Sequence, residues 1–404
     1  MDLVIIGGGA AGMMAALTAA EWLSDADSVT LLERQPRLGR KLLATGNGRC
    51  NLSNTHCAPS RYHGGDPDFV RPALEQFGVA DTLDWFRRLG LLCRTEPGGR
   101  VYPFSDQANS VLDTLRLALD ATGVLVRTDC PVSAVTRRKK RFLLTVPDGT
   151  VSADRLIVTA GGAAAPKLGG SMDGYQLLRE LGHRRTKLYP SLVQLRTDTT
   201  YTRSLKGVRA EATVTLCRNK EILAQQSGEV QFTDYGISGP VIFDLSRAAV
   251  TGGHGLTARL DLLPDLSERE LTALLAERCR RFPGLTLENL LTGTLHNRLG
   301  RTVLRYGGRK LSASVRDLTH RDLAAIAGDC KGFHLPVTGD MGLEHAQVTA
   351  GGLRTEEFDP DTLQSRLCPG LYAAGEILDV DGDCGGFNLQ WAWSSGHLAG
   401  LLRV

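Results

Sequence analysis

The chain has 404 residues, which exceeds the size at which a single hydrophobic core stops growing, so two or more domains are expected. A hydrophobic fraction of 42%, a charged fraction of 23% and a net charge of +3 are typical of a soluble globular protein and indicate no strongly charged partner. The nine cysteines are scattered without a CxxC pair, which argues against a disulfide scaffold, a zinc site or a redox dithiol and predicts reduced thiols in a cytoplasmic protein.

The first apolar stretch, residues 3–20, is uncharged over the length of a signal peptide or a membrane span. Asp2 has the wrong charge for the n-region of a signal peptide. Gly7, Gly8 and Gly9 would weaken a membrane helix. Neither kind of segment is therefore predicted.

The same stretch predicts a buried strand, a glycine-rich turn and an alanine-rich helix. Gly7, Gly9 and Gly12 form G-x-G-x-x-G, in which the first glycine permits a tight turn, the second admits a pyrophosphate and the third lets helix and strand pack closely. A second predicted strand ends in Glu33, whose carboxylate can accept hydrogen bonds from ribose hydroxyls. This order predicts that the chain binds a dinucleotide, either NAD or FAD.

A loop of unusual composition follows, "KLLATGNGRCNLSN" over residues 41–54. It combines glycines and asparagines, which suit tight turns, with Arg49 and Cys50. Because no resolving cysteine lies at a close spacing, we expect Cys50 to be a packing residue rather than a redox-active thiol.

The middle of the first half predicts helices and then a β-meander. After a helical region at about 67–89, residues 104–123 predict a helix that Ser105 or Asp106 caps and Gly123 ends.

Strands are then predicted at 131–135 and 141–146, with a hairpin turn at 147–149 before the strand "RLIVTAGG". A meander inserted at this point of a dinucleotide fold is a flavoprotein arrangement, so FAD is favoured over NAD.

From about Pro190 the pattern changes to strands of alternating or β-branched residues, followed by a long helical region. Ser267 is a candidate N-cap there, with Glu270 as its capping-box partner. Residues 277–316 hold nine Arg and Lys. We interpret this basic stretch as the solvated face of helices, although an RNA partner would also account for it.

Near the C-terminus a short strand ends in Gly375 and Glu376, an acidic loop follows, and residues 385–388 open a last helix. A helix N-terminus at this point would aim backbone N–H groups at the C2 carbonyl of a flavin, where negative charge gathers on reduction.

These motifs together resemble the BaiN/YhiN-like flavoproteins, also called the aminoacetone oxidase family, within the fumarate reductase and ketosteroid dehydrogenase-like flavoproteins. The resemblance covers nearly the whole chain, and its most specific stretches are "GRKLLATGNGRCNLSN" and "GEILDVDGDCGGFNLQWAWSSG". It implies an α/β fold with a Rossmann-like FAD-binding domain of the glutathione reductase type, including the β-meander, which carries an inserted β-rich domain and a helical sub-domain. The implied cofactor is non-covalent FAD.

The resemblance also implies which residues bind the cofactor. They are Gly7, Gly9, Ala11 and Gly12 at the pyrophosphate, Glu33 at the adenosine ribose with Arg34 beside it, Lys41 near the phosphates, Val132, Ala160 and Gly161 at the adenine end, Gly375, Glu376 and Asp379 towards the ribityl chain, and Gly48, Cys50, Phe387, Asn388 and Leu389 around the flavin ring.

The substrate is expected where the insert meets the flavin, because domain interfaces form clefts. Candidate catalytic residues are Asp234, Tyr235 and Ser238 of "FTDYGISGP", together with Arg49. Many relatives have His at the position of Asp234, and this departure weakens any proton-transfer role taken over from them.

The predicted domains are the FAD-binding domain (1–189 and 346–404), the β-rich substrate domain (190–263 and 330–345) and the helical sub-domain (264–329). The predicted function is an FAD-dependent oxidoreductase that exchanges hydride between flavin N5 and a small organic substrate. If NAD(P)H is the reductant it must enter the same cleft as the substrate, since no second G-x-G-x-x-G follows a later strand. Otherwise O2 would reoxidise a flavin that the substrate has reduced. The alternatives are a flavoprotein acting on tRNA and a non-catalytic flavin-binding sensor; neither a nucleic-acid partner, a membrane nor a metal is expected.

Overall fold

The computed structural model describes residues 1–24, 27–219 and 221–403. Over those residues, no helix combines the length and the apolar character that crossing a membrane requires.

The strands, in chain order, are β1 (Asp2–Ile6), β2 (Ser28–Leu32), β3 (Ser53–Asn54), β4 (Tyr62–Gly64), β5 (Cys93–Thr95), β6 (Arg100–Pro103), β7 (Leu125–Arg127), β8 (Ala134–Arg138), β9 (Arg141–Val146), β10 (Gly149–Ala153), β11 (Arg155–Val158), β12 (Tyr189–Ser191), β13 (Leu195–Thr197), β14 (Arg209–Arg218), β15 (Glu221–Phe232), β16 (Gly236–Ser238), β17 (Leu256–Asp261), β18 (Phe333–Asp340), β19 (Val348–Ala350), β20 (Leu371–Ala373) and β21 (Val380–Gly382). The helices are α1 (Ala10–Trp22), α2 (Arg40–Ala44), α3 (Arg71–Gln76), α4 (Val79–Arg88), α5 (Ala108–Ala121), α6 (Asp173–Glu180), α7 (Thr199–Thr202), α8 (Pro240–Gly252), α9 (Glu268–Arg281), α10 (Asn297–Tyr306), α11 (His320–Lys331) and α12 (Phe387–Gly400).

The chain forms two compact units. The first combines Met1–Tyr189 with Gln347–Val404, and the second is Pro190–Ala346. Both ends of the chain therefore contribute to one unit, and the intervening segment forms the other.

The first unit is built on a parallel sheet with the strand order β20-β11-β1-β2-β7. In β1, Leu3 and Ile5 are fully buried, as expected of a strand covered on both faces of the sheet. The carboxyl ends of β1, β2 and β11 lie at one edge of this sheet because the strands run parallel. This edge is where α/β folds of this kind bind their ligands.

Smaller antiparallel elements accompany the sheet. Strands β8, β9 and β10 form the predicted meander, β3, β6 and β5 form a second small sheet, and β4 pairs with β21. The predicted cap of α5 is wrong: the helix begins at Ala108 after Gln107. Asp106 is not available as a cap, because its carboxylate accepts hydrogen bonds from Arg49 and Arg94.

Helices α1 and α12 pack closely and run parallel. A Cβ built on Gly396 would lie 2.5 Å from the carbonyl oxygen of Ala11, and one on Gly400 would lie 2.7 Å from that of Ala15. These contacts leave no room for a side chain, so glycine permits the close approach of the two helices. The same contacts align the residue positions of α1 with those of α12.

The second unit contains a closed barrel with the strand order β13-β16-β15-β14-β17-β18. Its apolar core includes Ile242 of α8, Leu271 of α9 and Ile326 of α11. Ser267 and Glu270 form the predicted capping box at the start of α9. The predicted architecture of a Rossmann-like domain with a β-rich insert and helices is confirmed.

Candidate functional site

The glycine motif lies in the turn between β1 and α1, and its three glycines differ in their surroundings. A Cβ on Gly7 would lie 2.5 Å from the Thr159 carbonyl oxygen, and one on Gly12 would lie 1.8 Å from the Gly7 carbonyl oxygen. A Cβ on Gly9 would meet no described atom within 4 Å. Gly7 and Gly12 therefore allow the chain to pack, whereas Gly9 borders open space at the start of α1.

The N-terminus of α1 is suited to an anion. In the described part of the chain no side chain caps this helix, whose N-cap residue is Gly9. First-turn N–H groups of an uncapped helix carry partial positive charge and bind phosphate groups. Ala11, the fourth predicted pyrophosphate residue, lies in this first turn and is buried beside Gly375.

Glu33 follows β2 and lies next to the glycine turn. Its Oε2 accepts a hydrogen bond from Gly8 N at 2.7 Å, and its Oε1 accepts one from Gln35 N at 2.8 Å. Each carboxylate oxygen keeps a lone pair for a further donor such as a ribose hydroxyl. Arg34 instead binds Asp173 Oδ2 at 2.9 Å, so its guanidinium holds the start of α6.

Lys41 and Glu376 are joined by an ion pair across the first unit, with Lys41 Nζ 2.5 Å from Glu376 Oε2. The other oxygen, Glu376 Oε1, accepts a hydrogen bond from Thr349 N at 2.9 Å. Thr349 Oγ1 in turn accepts one from Ala164 N at 2.9 Å. Glu376 and Thr349 therefore link four segments that are distant in sequence.

The remaining predicted residues along this path are distributed as follows. Ala160 and Gly161 follow β11, and a Cβ on Gly161 would meet nothing described within 4 Å. Val132 is buried in the core next to β8. Asp379 is also buried, and its Oδ2 lies 3.3 Å from Gly65 N.

The loop after α2 has strained backbone in several places. Asn47 and Cys50 have positive φ angles of 56° and 60°, and Gly48 has one of 84° with open space where its Cβ would lie. Cys50 is fully buried, and this burial raises the pKa of its thiol to about 12. The thiolate is thus strongly disfavoured, which agrees with a packing role.

Arg49 is held in a cluster of charges. Its guanidinium donates hydrogen bonds to Glu96 Oε1 at 2.5 Å and to Asp106 Oδ1 at 2.7 Å, and it lies 4.0 Å from the centre of the Tyr102 ring. Arg94 binds the same two carboxylates. The principal contacts of Arg49 are therefore with the β5–β6 region.

The loop 51–54 meets the start of α12. Asn54 Nδ2 donates to the Gly385 carbonyl oxygen at 2.8 Å, and Ser53 Oγ donates to Gln390 Oε1 at 2.6 Å. A Cβ on Gly386 would lie 2.3 Å from the Ser53 carbonyl oxygen. The structure thus brings the two most family-specific sequence stretches together.

The side chains at the start of α12 are engaged within the protein. Phe387 is buried with its ring edge-on to Tyr62, and Asn388 donates to and accepts from the backbone of Gly382 at 2.8 Å each. Leu389 packs at the margin of the core. What this terminus offers a ligand is its backbone, because α12, like α1, has no side-chain cap among the described residues.

The two uncapped N-termini are offset along parallel helices. Gly396 lies beside Ala11, so position 395 of α12 is level with the first residue of α1, Ala10. Helix α12 begins eight residues earlier, at Phe387, and its N-terminus therefore extends past that of α1 by roughly 12 Å. One terminus is suited to phosphate groups and the other to an electron-rich ring. The residues present therefore fit an extended FAD molecule.

The predicted catalytic residues of the insert lie in the second unit. Asp234 is exposed in the turn between β15 and β16, and its Oδ2 pairs with Lys206 Nζ at 2.6 Å. Tyr235 is half-buried beside it, and Ser238 is buried in β16. The ion pair with Lys206 keeps the pKa of Asp234 below its usual range, so this carboxyl is a poor proton donor.

Sequence reasoning missed three polar groups around the site. The first is Thr159, whose hydroxyl donates to the carbonyl oxygens of Ile6 and Gly7. The second is Thr349, whose backbone N–H donates to Glu376. The third is the pair of His63 and Asp383 near the start of α12. Thr349 belongs to the stretch "VTAGGL" at residues 348–353, whose paired glycines were a usable signal. His63 precedes two glycines in "YHGG", a weaker one.

Comparison with known proteins places the chain in a family. The profile of the "HI0933-like protein Rossmann domain" family matches residues 1–402. The chain is 40% identical over 400 residues to 3-dehydro-bile acid delta(4,6)-reductase of Clostridium scindens, covering 98% of this chain and 97% of that protein. It is 30% identical over 399 residues to ribosomal RNA dihydrouridine synthase of Escherichia coli, covering 98% of this chain and 96% of that protein.

A solved structure shows the same fold. 3-Ketosteroid delta1-dehydrogenase from Sterolibacterium denitrificans matches with a TM-score of 0.52 and 13% identity, covering 99% of this chain and 98% of that one. The resemblance inferred from the sequence motifs is confirmed. The chain belongs to the HI0933-like family of Rossmann flavoproteins and is an FAD-dependent oxidoreductase.

Proposed function

We propose that this enzyme reduces a carbon–carbon double bond conjugated to a carbonyl group in a small organic molecule. The observation that carries the proposal is the 40% identity over nearly the full length to a reductase named for the Δ4 and Δ6 double bonds of a 3-oxo bile acid. The dihydrouridine synthase is also named for a product whose ring double bond, conjugated to a carbonyl, is saturated. The reaction type is thus shared by relatives whose substrates differ.

In this proposal the first unit holds the cofactor as the sequence implied. The N-terminus of α1 with Gly9 holds the pyrophosphate, Glu33 binds the ribose, and the start of α12 faces the pyrimidine edge of the flavin. When bound, reduced FAD supplies a hydride from N5, and the protein supplies orientation and electrostatics. NAD(P)H serves as the reductant.

The test separates the two half-reactions. The purified enzyme is reduced anaerobically, either by light or by NADH or NADPH, and is then mixed with a 3-oxo-4-ene steroid or a saturated 3-oxo steroid while flavin absorbance is recorded. We expect reoxidation by the enone alone. If no conjugated carbonyl compound reoxidises the flavin while another class does, the proposal is wrong.

A second candidate substrate is a uracil base in RNA, which the 30% identity to the dihydrouridine synthase favours. The basic stretch in the second unit is the natural place for RNA contacts. However, several of its cations bind the chain itself: Arg280 pairs with Glu277, Arg301 with Glu288 and Arg309 with Asp329. These internal pairs lower the charge available to phosphates, so we rank the small-molecule substrate first.

Salt dependence distinguishes the two substrates. An RNA-binding protein loses affinity steeply as salt rises, because counterions are released from each neutralised phosphate. Arg280 and Arg281 are exposed and suit a double Arg→Glu variant. If the wild-type protein retains ribosomal RNA at low salt and the double variant does not, an RNA substrate is favoured. If the wild-type protein retains no RNA at low salt, the small-molecule enone is favoured.

A further inference from the structure

A histidine–aspartate pair stands beside the start of α12, and the cofactor assignment gives it no role. His63 Nε2 lies 2.8 Å from Asp383 Oδ1. The second oxygen, Asp383 Oδ2, accepts a hydrogen bond from Arg61 at 3.3 Å. The carboxylate is therefore fixed from two sides, and it in turn fixes the imidazole.

Strand pairing determines which way His63 faces. β4 and β21 are antiparallel with Asp381 opposite His63, and Asp383 N donates to the Arg61 carbonyl oxygen at 3.0 Å. Tyr62 points inwards and donates its hydroxyl to the Phe387 carbonyl oxygen at 2.9 Å. Successive side chains of a strand point to opposite faces, so His63 points away from that core contact. Its side chain is 37% exposed.

The pair lies close to where the flavin ring is placed. Asp383 precedes Phe387, the first residue of α12, by four positions. The guanidinium of Arg61 lies 5.8 Å from the centre of the Phe387 ring. In the described part of the chain, His63 Nδ1 has no hydrogen-bond partner, so one ring nitrogen is held and the other is open to a ligand.

Reduction of a conjugated double bond needs a proton as well as a hydride. We propose that His63 is the residue that protonates the α-carbon of the substrate and that Asp383 is its positioning residue, an inference that rests on the proposed function. As the hydride from reduced FAD reaches the β-carbon, the Nδ1–H bond of the imidazolium breaks and a C–H bond forms at the α-carbon. The double bond becomes a single bond, and the imidazole remains neutral with Nε2–H bound to Asp383. Solvent restores the proton, because His63 is partly exposed.

The charged groups that face His63 are two carboxylates and one guanidinium. Asp383 and the facing Asp381 are acidic, whereas Arg61 is the opposing cation and is itself bound to Asp383. A carboxylate on Nε2 also selects the tautomer in which Nδ1 is the nitrogen that gains and loses the proton. The pair therefore leaves Nδ1 as the nitrogen that can transfer a proton to a ligand.

The experiment compares His63→Gln, Asp383→Asn and the matched control His56→Gln, a change of the same kind at an exposed histidine of the neighbouring loop. Each variant is tested for its FAD dissociation constant, for reduction by light or NAD(P)H, and for reoxidation by a 3-oxo-4-ene steroid across pH. We expect His63→Gln to bind FAD and to be reduced as the wild type is, while reoxidation slows by about 10²–10⁴-fold and loses its basic-limb pH dependence. The control should match the wild type.

A second measurement does not depend on turnover. Nitrogen-15 spectra of histidine-labelled protein should show neutral His63 as the Nε2–H tautomer, and Asp383→Asn should remove that preference. If His63→Gln is reoxidised by the enone at the wild-type rate, His63 is not the proton donor although the proposed function stands. If the wild type itself is not reoxidised by any enone, the proposed function and this inference both fail.

Discussion

Lys41 Nζ lies 2.5 Å from Glu376 Oε2 although 335 positions separate the two residues. Both were expected to bind the cofactor, and the structure shows that they bind each other. The side chains are each about a quarter exposed, so the pair borders solvent or a ligand rather than the core. Lys41 is thus a partly neutralised cation, and Glu376 also accepts the Thr349 N–H.

This relationship predicts opposite effects of two substitutions on FAD affinity. Lys41→Met leaves the Glu376 carboxylate unpaired near the proposed phosphates, and we expect the FAD dissociation constant to rise by about 10–100-fold, equivalent to 1.4–2.8 kcal/mol. Glu376→Gln keeps an acceptor for Thr349 N and releases the charge of Lys41, so affinity should hold or increase. Titration of apoprotein with FAD, followed by flavin fluorescence, measures both. Equal weakening in the two variants would show that the ion pair, and not the charge of Lys41, is what matters.

The glycines of the first motif give a matched pair of substitutions. Gly9→Val places its side chain in open space, with the N-cap backbone at φ −80°, so the protein should fold with the thermal stability of the wild-type apoprotein but purify colourless. Gly12→Ala puts a Cβ 1.8 Å from the Gly7 carbonyl oxygen and should destabilise the fold by about 3 kcal/mol. Absorbance of the purified proteins and their thermal unfolding report the two effects. A yellow, stoichiometric Gly9→Val variant would contradict the phosphate assignment.

The parts of the fold that were predictable are those encoded locally. The β1–glycine–α1 turn, the meander of β8 to β10 and the start of α12 each depend on turn residues and hydrophobic runs within about thirty residues. The capping box of Ser267 and Glu270 is likewise local. For these features the sequence pattern and the tertiary structure agree.

The features that were missed depend on contacts between distant segments. No local signal pairs β4 with β21, so the approach of His63 to Asp383 across 320 positions could not be predicted. Asp106 shows the opposite failure. Aspartate is a good helix N-cap, but the carboxylate of Asp106 accepts hydrogen bonds from Arg49 and Arg94 instead. Hydrogen bonds from a charged guanidinium are stronger than those from a neutral backbone N–H, so the arginines win.

Cys50 provides a test of the packing role. Because burial raises its pKa to about 12, the thiol should remain unmodified by iodoacetamide at pH 8, where the thiolate is a minute fraction. Mass spectrometry of the folded protein measures this, and the same treatment after denaturation shows that Cys50 can be labelled. Cys50→Ala should keep FAD and lose less than about tenfold in activity. Rapid labelling of Cys50 in the folded protein, or an inactive Cys50→Ala variant that still holds FAD, would instead indicate a chemical role.

His397 predicts how stability depends on pH. It stacks on Phe77 with ring centres 4.2 Å apart, and its Nδ1 lies 3.1 Å from Thr18 Oγ1. Desolvation by burial, with a smaller effect of Arg403, lowers its pKa from 6.5 to about 4. The native state therefore favours the neutral ring. The contribution of His397 to the free energy of unfolding is complete above pH 6.5 and is lost as the pH falls from about 6.5 towards 4.

The expected loss of unfolding free energy over that interval is up to about 3 kcal/mol from this residue. Other groups titrate in the same range, among them the buried His183, so the measurement is the difference between the wild type and His397→Gln in urea unfolding at pH 7 and at pH 4.5. The glutamine amide can still bond to Thr18 but carries no proton equilibrium. The wild type should lose more stability than the variant between the two pH values. At pH 4.5 the unfolded wild-type chain protonates His397 whereas the native state keeps it neutral, and a glutamine at this position has no such difference.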